Sequence, residues 1–278
     1  MYPIVNLEKC TDCQLCVKDC VAEAIDKRTK EIFKTKCIHC GHCTVICPVE
    51  AIRIDGESGE VLNPISDNLS EDFESLIKNR RSIRFYKKTP VQREKIYKIV
   101  ETVNCAPTGT NSRLVGMTVL DSQEKINHLS DIIMSHFDKI TKILLNGITY
   151  PFLMLLMGSE KTKKLFSYQR IISSYNRENN ILTHDAPLLF IFHSHKKSSV
   201  PAQDAVIWAT TAMYFAESMG IGTCFNGFLV IGINTCKKAR KYLNIPKGHK
   251  IYESFTAGYA EFSYNRGVLR KDLNVNFV

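Results

Sequence analysis

Two cysteine runs with one spacing constrain this chain more than anything else in it. They are Cys10-x2-Cys13-x2-Cys16-x3-Cys20 and Cys37-x2-Cys40-x2-Cys43-x3-Cys47, the second followed by Pro48. Eight of the eleven cysteines fall in them. Three thiolates on one tight loop with a fourth close behind is the ligand pattern of paired 4Fe–4S clusters, in which the fourth cysteine of each run ligates the other run's cluster. Cys10, Cys13, Cys16 and Cys47 are therefore expected to hold one cluster, and Cys37, Cys40, Cys43 and Cys20 the other. The rival readings fit less well. Disulfide frameworks belong to smaller secreted chains, and structural zinc takes four-ligand sets built from paired cysteines. One-electron traffic is the expected use of this segment.

The clusters need only the first fifty-odd of 278 residues, so the remainder must bury a core of its own. Met1 to Glu8 lacks the basic start and apolar run of a signal peptide. The longest apolar stretch, Tyr150 to Met157, is far short of the roughly 20 residues that span a bilayer. A cytoplasmic chain without membrane contact is expected. The net charge of +9 comes from scattered lysines without a nucleic-acid motif. It suits anionic cofactors and an acidic redox partner, or simply a solvated basic surface.

Residues 1–55 read as an internal duplication: each cysteine run precedes a short stretch expected to be helical, Val21–Ile25 echoed by Pro48–Ile52. The repeated Ala–Ile pairs are expected to shield the clusters from water. Residues 56–70, mixed in Gly, Ser, Asn, Asp and Pro, read as a linker, and 71–278 as a second domain. A helix is expected from near Ser70, an N-cap candidate. Thr89-Pro90-Val91-Gln92 reads as a capping box with proline at the first helical position. Ile96, Ile99, Val100 and Val103 follow on one buried face, and the helix must end before Pro107. Leu114–Leu120 and Leu188–Phe192 have strand composition, the latter suited to a central strand. Gln123–Leu182 looks largely helical, interrupted at Gly147 and Pro151. Ala205–Met219 reads as a buried or interface helix closed by Gly220. Strands alternating with long helices give an α+β or α/β layered fold.

A second constellation lies at Asn79–Tyr86, where Arg80, Arg81, Ser82 and Arg84 fall within five positions. Arginine forks match phosphate and carbonyl oxygens, although a solvated basic turn has the same composition. Further on stand Ala106-Pro107-Thr108-Gly109-Thr110-Asn111-Ser112-Arg113, Met219-Gly220-Ile221-Gly222-Thr223-Cys224-Phe225-Asn226-Gly227 and Tyr264-Asn265-Arg266-Gly267-Val268-Leu269-Arg270-Lys271. In order and spacing these four segments resemble the FMN-dependent nitroreductase family, in the branch that carries an N-terminal two-cluster ferredoxin module.

The resemblance implies an α+β chain: a small ferredoxin-like domain, then a nitroreductase-like α/β sandwich with a central mixed sheet flanked by helices, assembled as a homodimer with FMN at the interface. It implies that Arg80, Arg81, Ser82 and Arg84 contact the FMN phosphate, ribityl chain and N1/O2 edge. Pro107, Thr108 and Gly109 would reach the flavin held mainly by the other subunit, with Asn111 a polar contact. Cys224 and Asn226 would lie near the ring, Gly227 would offer its N–H to N5, and Arg266 and Arg270 would return to the phosphate. Asn226 and Gly227 are the candidates nearest the reacting atom. The turn lacks the family's N-S-Q/R-P-W ending, Phe225 replaces a frequent tryptophan, Asn226 stands where some relatives have glutamate, and Val21 follows Cys20 where proline is frequent. The implied activity is an iron–sulfur flavin oxidoreductase. It would take electrons from reduced ferredoxin or another low-potential donor, and reduce a nitroaromatic, quinone, activated alkene or carbon–halogen bond. The alternatives are an electron-transfer or redox-sensing flavoprotein acting on a partner protein, and a different family reaction such as flavin fragmentation.

Other residues attract attention without a motif. His193 and His195 read as a strand-end pair rather than metal ligands. His39 and His42, inside the second cysteine run, could tune a cluster or merely lie exposed. Cys105 and Cys236 read as idle or buried thiols, and Cys224 as packing near the flavin. Tyr168, Arg170, Tyr175 and Arg177 suit either a substrate lid or plain surface.

Overall fold

The computed structural model describes residues 2–178 and 180–278, without the side chains of 153, 157, 159 and 161–165. The chain divides into two compact units. One comprises Met1–Leu69 together with Thr108–Arg113, the other Ser70–Pro107 and Leu114–Val278. The contiguous division into 1–55, 56–70 and 71–278 thus misses one excursion: the turn at 108–113 belongs with the cysteine unit.

In the first unit, β1 (Pro3–Val5) pairs antiparallel with β2 (Ile52–Ile54), joining the ends of the duplicated segment. Helices α1 (Leu15–Asp19) and α2 (His42–Val45) lie inside the cysteine runs, not after them. The stretches read as helical are turn and extended chain instead: Ile25 bridges Ile32, and Ile52 is in β2. The fourth cysteine ends the first helix by going extended (Cys20 φ −78°, ψ 91°). The repeat extends to the backbone. Left-handed Asp12, Gln14 and Glu23 have left-handed counterparts in His39, Gly41 and Glu50, each offset as Cys37 is from Cys10. Ala24, Ile25, Ala51 and Ile52 are all buried.

The second unit opens with α3 (Leu69–Asn79), which begins before Ser70 and so places that serine within its first turn. Helix α4 (Arg93–Val103) starts later than the Thr89 box suggests: Gln92 is extended, and its side chain accepts a hydrogen bond from the Tyr259 hydroxyl. Pro90 and Val91 therefore belong to an extended lead-in, with Val91 buried. Ile96, Ile99 and Val103 are buried in the core, whereas Val100, expected on the same face, is exposed. After the 3-10 turn Gly109–Asn111 come β3 (Val115–Leu120) and three helices: α5 (Gln123–Leu144), α6 (Thr149–Met157) and α7 (Ser159–Ser173). The chain continues through β4 (Leu188–His195), α8 (Pro201–Ser218), β5 (Gly222–Phe225), α9 (Gly227–Thr235), α10 (Lys237–Tyr242) and β6 (His249–Gly258).

The sheet has the order β3-β4-β6-β5, every neighbour antiparallel. The expected mixed character enters, among the described residues, through one isolated parallel bridge, Ser82 to Thr223. Strand β4 is central, and its apolar run serves both faces. Leu188, Phe190 and Phe192 pack with α4 and α8, while Leu189 and Ile191 pack with α5, α9 and α10. A strand alternates its side chains, so a strand covered on both faces must be apolar throughout. Each such fully buried Leu, Ile or Phe contributes about 1.5–3 kcal/mol relative to exposure. No described helix is long and apolar enough to cross a membrane.

Candidate cluster cavities and flavin cradle

The duplicated loops fold around two cavities. One has Cys20, Cys37, Cys40 and Cys43 in its wall, and the other has Cys10, Cys13, Cys16 and Cys47. Each cavity therefore draws its fourth cysteine from the opposite run. Ala24 N–H donates to Cys20 Sγ at 3.3 Å and Ala51 N–H to Cys47 Sγ at 3.2 Å, the same bond in both halves. Four thiols lining each cavity suit a 4Fe–4S cluster. Burial pushes the Cys43 thiol up to about 11, reinforced by Cys40, Cys37, Cys16 and Cys20, and burial raises Cys16 as well. Metal binding at such thiols releases their protons.

The sequence does not announce Lys30, which lines the second of these cavities with only 5 % of its surface exposed. Its ammonium pairs with Asp12, which holds its pKa up, and also feels Cys10 and Cys16. In the sequence it is one of several lysines in a polar turn. The Asp26 carboxylate shapes that turn by accepting from the Arg28 and Thr29 N–H groups. His42 lies within reach of Asp19 at 3.3 Å, and the His39 ring contacts Tyr2.

In the second unit the Arg80–Arg84 segment runs beside β5, with Ile83 N–H donating to Thr223 O at 2.9 Å. This brings Ser82 to Cys224, whose thiol burial raises while Arg84 and a hydrogen bond from Ser82 oppose the rise. Arg80 lies near Glu217, a half-buried carboxyl that burial raises. One Glu217 oxygen accepts from both Thr223 N–H and Thr223 Oγ1, each at 2.9 Å, pinning the start of β5 to the end of α8. Arg84 also acts on His184, whose pKa burial lowers first and that cation lowers further. His184 and Asp185 are consecutive left-handed residues (φ 56° and 52°), the kind of backbone strain that gathers at functional sites. Neither Glu217 nor His184 carries a motif; an acid near the end of the apolar helix α8 is the one signal for Glu217.

The remaining candidates divide. Arg81 is committed to structure, its Nη1 donating to Lys78 O and Arg80 O and its Nη2 to Arg266 O. Asn226 is similarly engaged: Oδ1 caps α9 through Leu229 N–H and Nδ2 donates to Leu182 O. Gly227, next to it, faces open space where a side chain would begin, so a ligand can approach its backbone. Arg266 and Arg270 lie on the exposed tail. Pro107 stays with the second unit, whereas Thr108, Gly109 and Asn111 go with the first. There the Asn111 amide donates to Ile38 O and His39 O. Tyr175 and Arg177 converge on Asp131 of α5, and Tyr168 stacks on Phe228. Cys236 is buried and Cys105 exposed. Two arginines, a serine hydroxyl and an open glycine backbone fit an anionic, planar ligand such as FMN.

Comparison with known proteins follows the same division. The 4Fe-4S dicluster domain family matches residues 2–58 and the nitroreductase family residues 77–259. Among curated proteins, 55 residues of the chain match pyruvate synthase subunit PorD of Methanothermobacter marburgensis. The two are 40% identical over 20% of this chain and 67% of that one. A nitroreductase with bound FMN from Bacteroides fragilis superposes with a TM-score of 0.59 at 20% identity, covering 74% of this chain and 98% of that one. A second, with bound FMN from Desulfitobacterium hafniense, gives 0.56 at 21% identity, again covering 74% and 98%. These likenesses establish a shared fold. The chain belongs to the nitroreductase family and carries a 4Fe-4S dicluster domain ahead of its nitroreductase domain.

Proposed function

We propose that this protein is an FMN-dependent oxidoreductase in which two 4Fe–4S clusters relay electrons from a low-potential donor to the flavin, for reduction of a small acceptor. The observation that carries this is the pair of cysteine-lined cavities in the same chain as the Arg80–Arg84 cradle. Iron–sulfur clusters carry single electrons, often at low potential, and FMN supplies a site where two of them combine for hydride-like delivery. The chain's residues do the rest. Arg80 and Ser82 would bind the phosphate and ribityl chain, with Glu217 holding the adjoining strand. Arg84 would place positive charge at the ring edge, where negative charge develops on reduction. The Gly227 backbone would admit the ring at close range, and Arg266 would close the phosphate site. Acceptors of the nitroaromatic, quinone, activated-alkene or carbon–halogen type all suit such a flavin, and reduced ferredoxin suits the cluster unit as donor. Exposed Phe152, Leu155 and Leu156 on α6, with Val206 and Ile207 on α8, are the apolar area a homodimer would cover.

Anaerobic stopped-flow reduction tests the relay, following cluster and flavin absorbance separately. With a low-potential donor the cluster bands should bleach before the flavin band. Rapid flavin reduction by NADH in protein stripped of both clusters would sink the relay. Arg80→Ala should weaken FMN retention about tenfold to a hundredfold, the loss of about 1.5–3 kcal/mol of charge-assisted hydrogen bonding, while iron content stays level. Unchanged flavin occupancy would remove Arg80 from the site.

A further inference from the structure

The loop Ile38–Cys40 lines two cavities. One is the cavity of Cys20, Cys37, Cys40 and Cys43; the other is shared with Asn111, Ser112 and Arg113. On this second side the Asn111 amide nitrogen donates to Ile38 O at 3.1 Å and to His39 O at 2.8 Å, from 73 and 72 positions along the chain. Those carbonyls belong to the peptide groups whose N–H ends are His39 and Cys40. No described peptide bond is cis, and in a planar trans peptide the C=O and N–H point opposite ways. Drawing both oxygens toward Asn111 therefore turns both N–H groups away from Asn111.

The turn that presents Asn111 is held under strain. Thr110, Asn111 and Arg113 are all left-handed (φ 53°, 51° and 52°), as is His39 opposite them (φ 55°). Asparagine tolerates this region well, but β-branched Thr110 does not. Such geometry persists where surrounding contacts over-determine it, and the pair of amide hydrogen bonds is one such contact.

Resting on the reading that the cysteine runs hold two clusters, we propose that Asn111 is a positioning residue for the cluster of Cys20, Cys37, Cys40 and Cys43. By orienting and polarising the His39 and Cys40 N–H groups toward the sulfurs, it raises that cluster's reduction potential. Reduction adds one electron and breaks no bond, and hydrogen bonds to sulfur favour the more negative state. Donation into a peptide's oxygen strengthens the same peptide as a donor.

The test is an EPR-monitored redox titration of the full-length, anaerobically reconstituted protein. Asn111→Gly keeps a residue that tolerates the left-handed turn but removes the donor. It should lower the reduction equilibrium of one cluster about tenfold, a fall of about 59 mV for a one-electron couple. The other cluster should not move, and iron should remain at the wild-type level. Thr110→Gly relaxes the same turn while sparing the donor and should leave both potentials alone. The proposal is overturned by an unmoved potential, by equal shifts in both clusters or in both variants, or by iron loss in Asn111→Gly. Wild-type protein without two cluster signals would instead remove the underlying cluster reading, and this inference with it.

Discussion

Cys20→Ser should destroy the cluster of the other cysteine run and spare that of its own. Iron should fall from about eight to about four per chain, and the surviving EPR signal should match the one left by Cys40→Ser, not the one left by Cys13→Ser. The reason is geometric. Cys20 lines the cavity of Cys37, Cys40 and Cys43, while Cys47 completes the cavity of Cys10, Cys13 and Cys16. The Ala24 N–H aimed at Cys20 Sγ further fixes that sulfur's position. Serine keeps the size but not the soft thiolate that iron–sulfur clusters require. If each run instead built its own cluster, Cys20→Ser and Cys13→Ser would leave the same signal. That outcome would refute crossed ligation whatever the iron count.

The dicluster character was readable because the spacing within each cysteine run is local, and β4 because a strand buried on both faces has nowhere to place polar residues. Helix α8 was readable for the same reason. What escaped the sequence depends on neighbours far along the chain. Helix α4 starts late because Tyr259, from beyond β6, takes the Gln92 side chain and leaves the preceding residues extended. The helices of the cysteine unit were misplaced because the Ala–Ile pairs are as suited to buried extended chain as to a helix face. Asn111 was assigned to the flavin through a motif, and its hydrogen bonds to Ile38 and His39 are invisible without the fold. Lys30, His184 and Glu217 belong to the same class. Each is an ordinary polar residue whose burial, and hence whose electrostatic weight, is decided by tertiary packing.

Acid should destabilise the nitroreductase unit chiefly through one imidazole, His193, whose pKa is depressed furthest. The side chain is 5 % exposed, and its Nδ1 lies 2.9 Å from His249 Nδ1. One ring must donate and the other accept, so a proton on both would set two N–H groups against each other. Burial first, then His249 and Arg240, depress His193 to about 4. Arg240 is held at the site by its bond to His249 O at 2.7 Å, and the His195 ring stacks edge-on against His249. The ring packs closely on the Gly116 backbone, where a Cβ would lie 2.3 Å from His193 Cε1. In the unfolded chain His193 titrates near the ordinary value of about 6.5. Between pH 6.5 and 4 the unfolded state therefore binds a proton that the native state refuses. Stability contributed by the neutral imidazole is intact above about pH 6.5, falls with pH through this window, and levels off below about 4. The loss amounts to about 3 kcal/mol, or roughly 6–12 °C in the melting temperature of a unit this size. The single tryptophan, Trp208, is buried in this unit's core and reports its unfolding separately from the acid-labile clusters. His193→Gln should start less stable at pH 7.5, where its packing and its bond to His249 are disturbed. It should nevertheless lose much less than the wild type on going to pH 4.5. Parallel loss in the two proteins would place the acid sensitivity elsewhere.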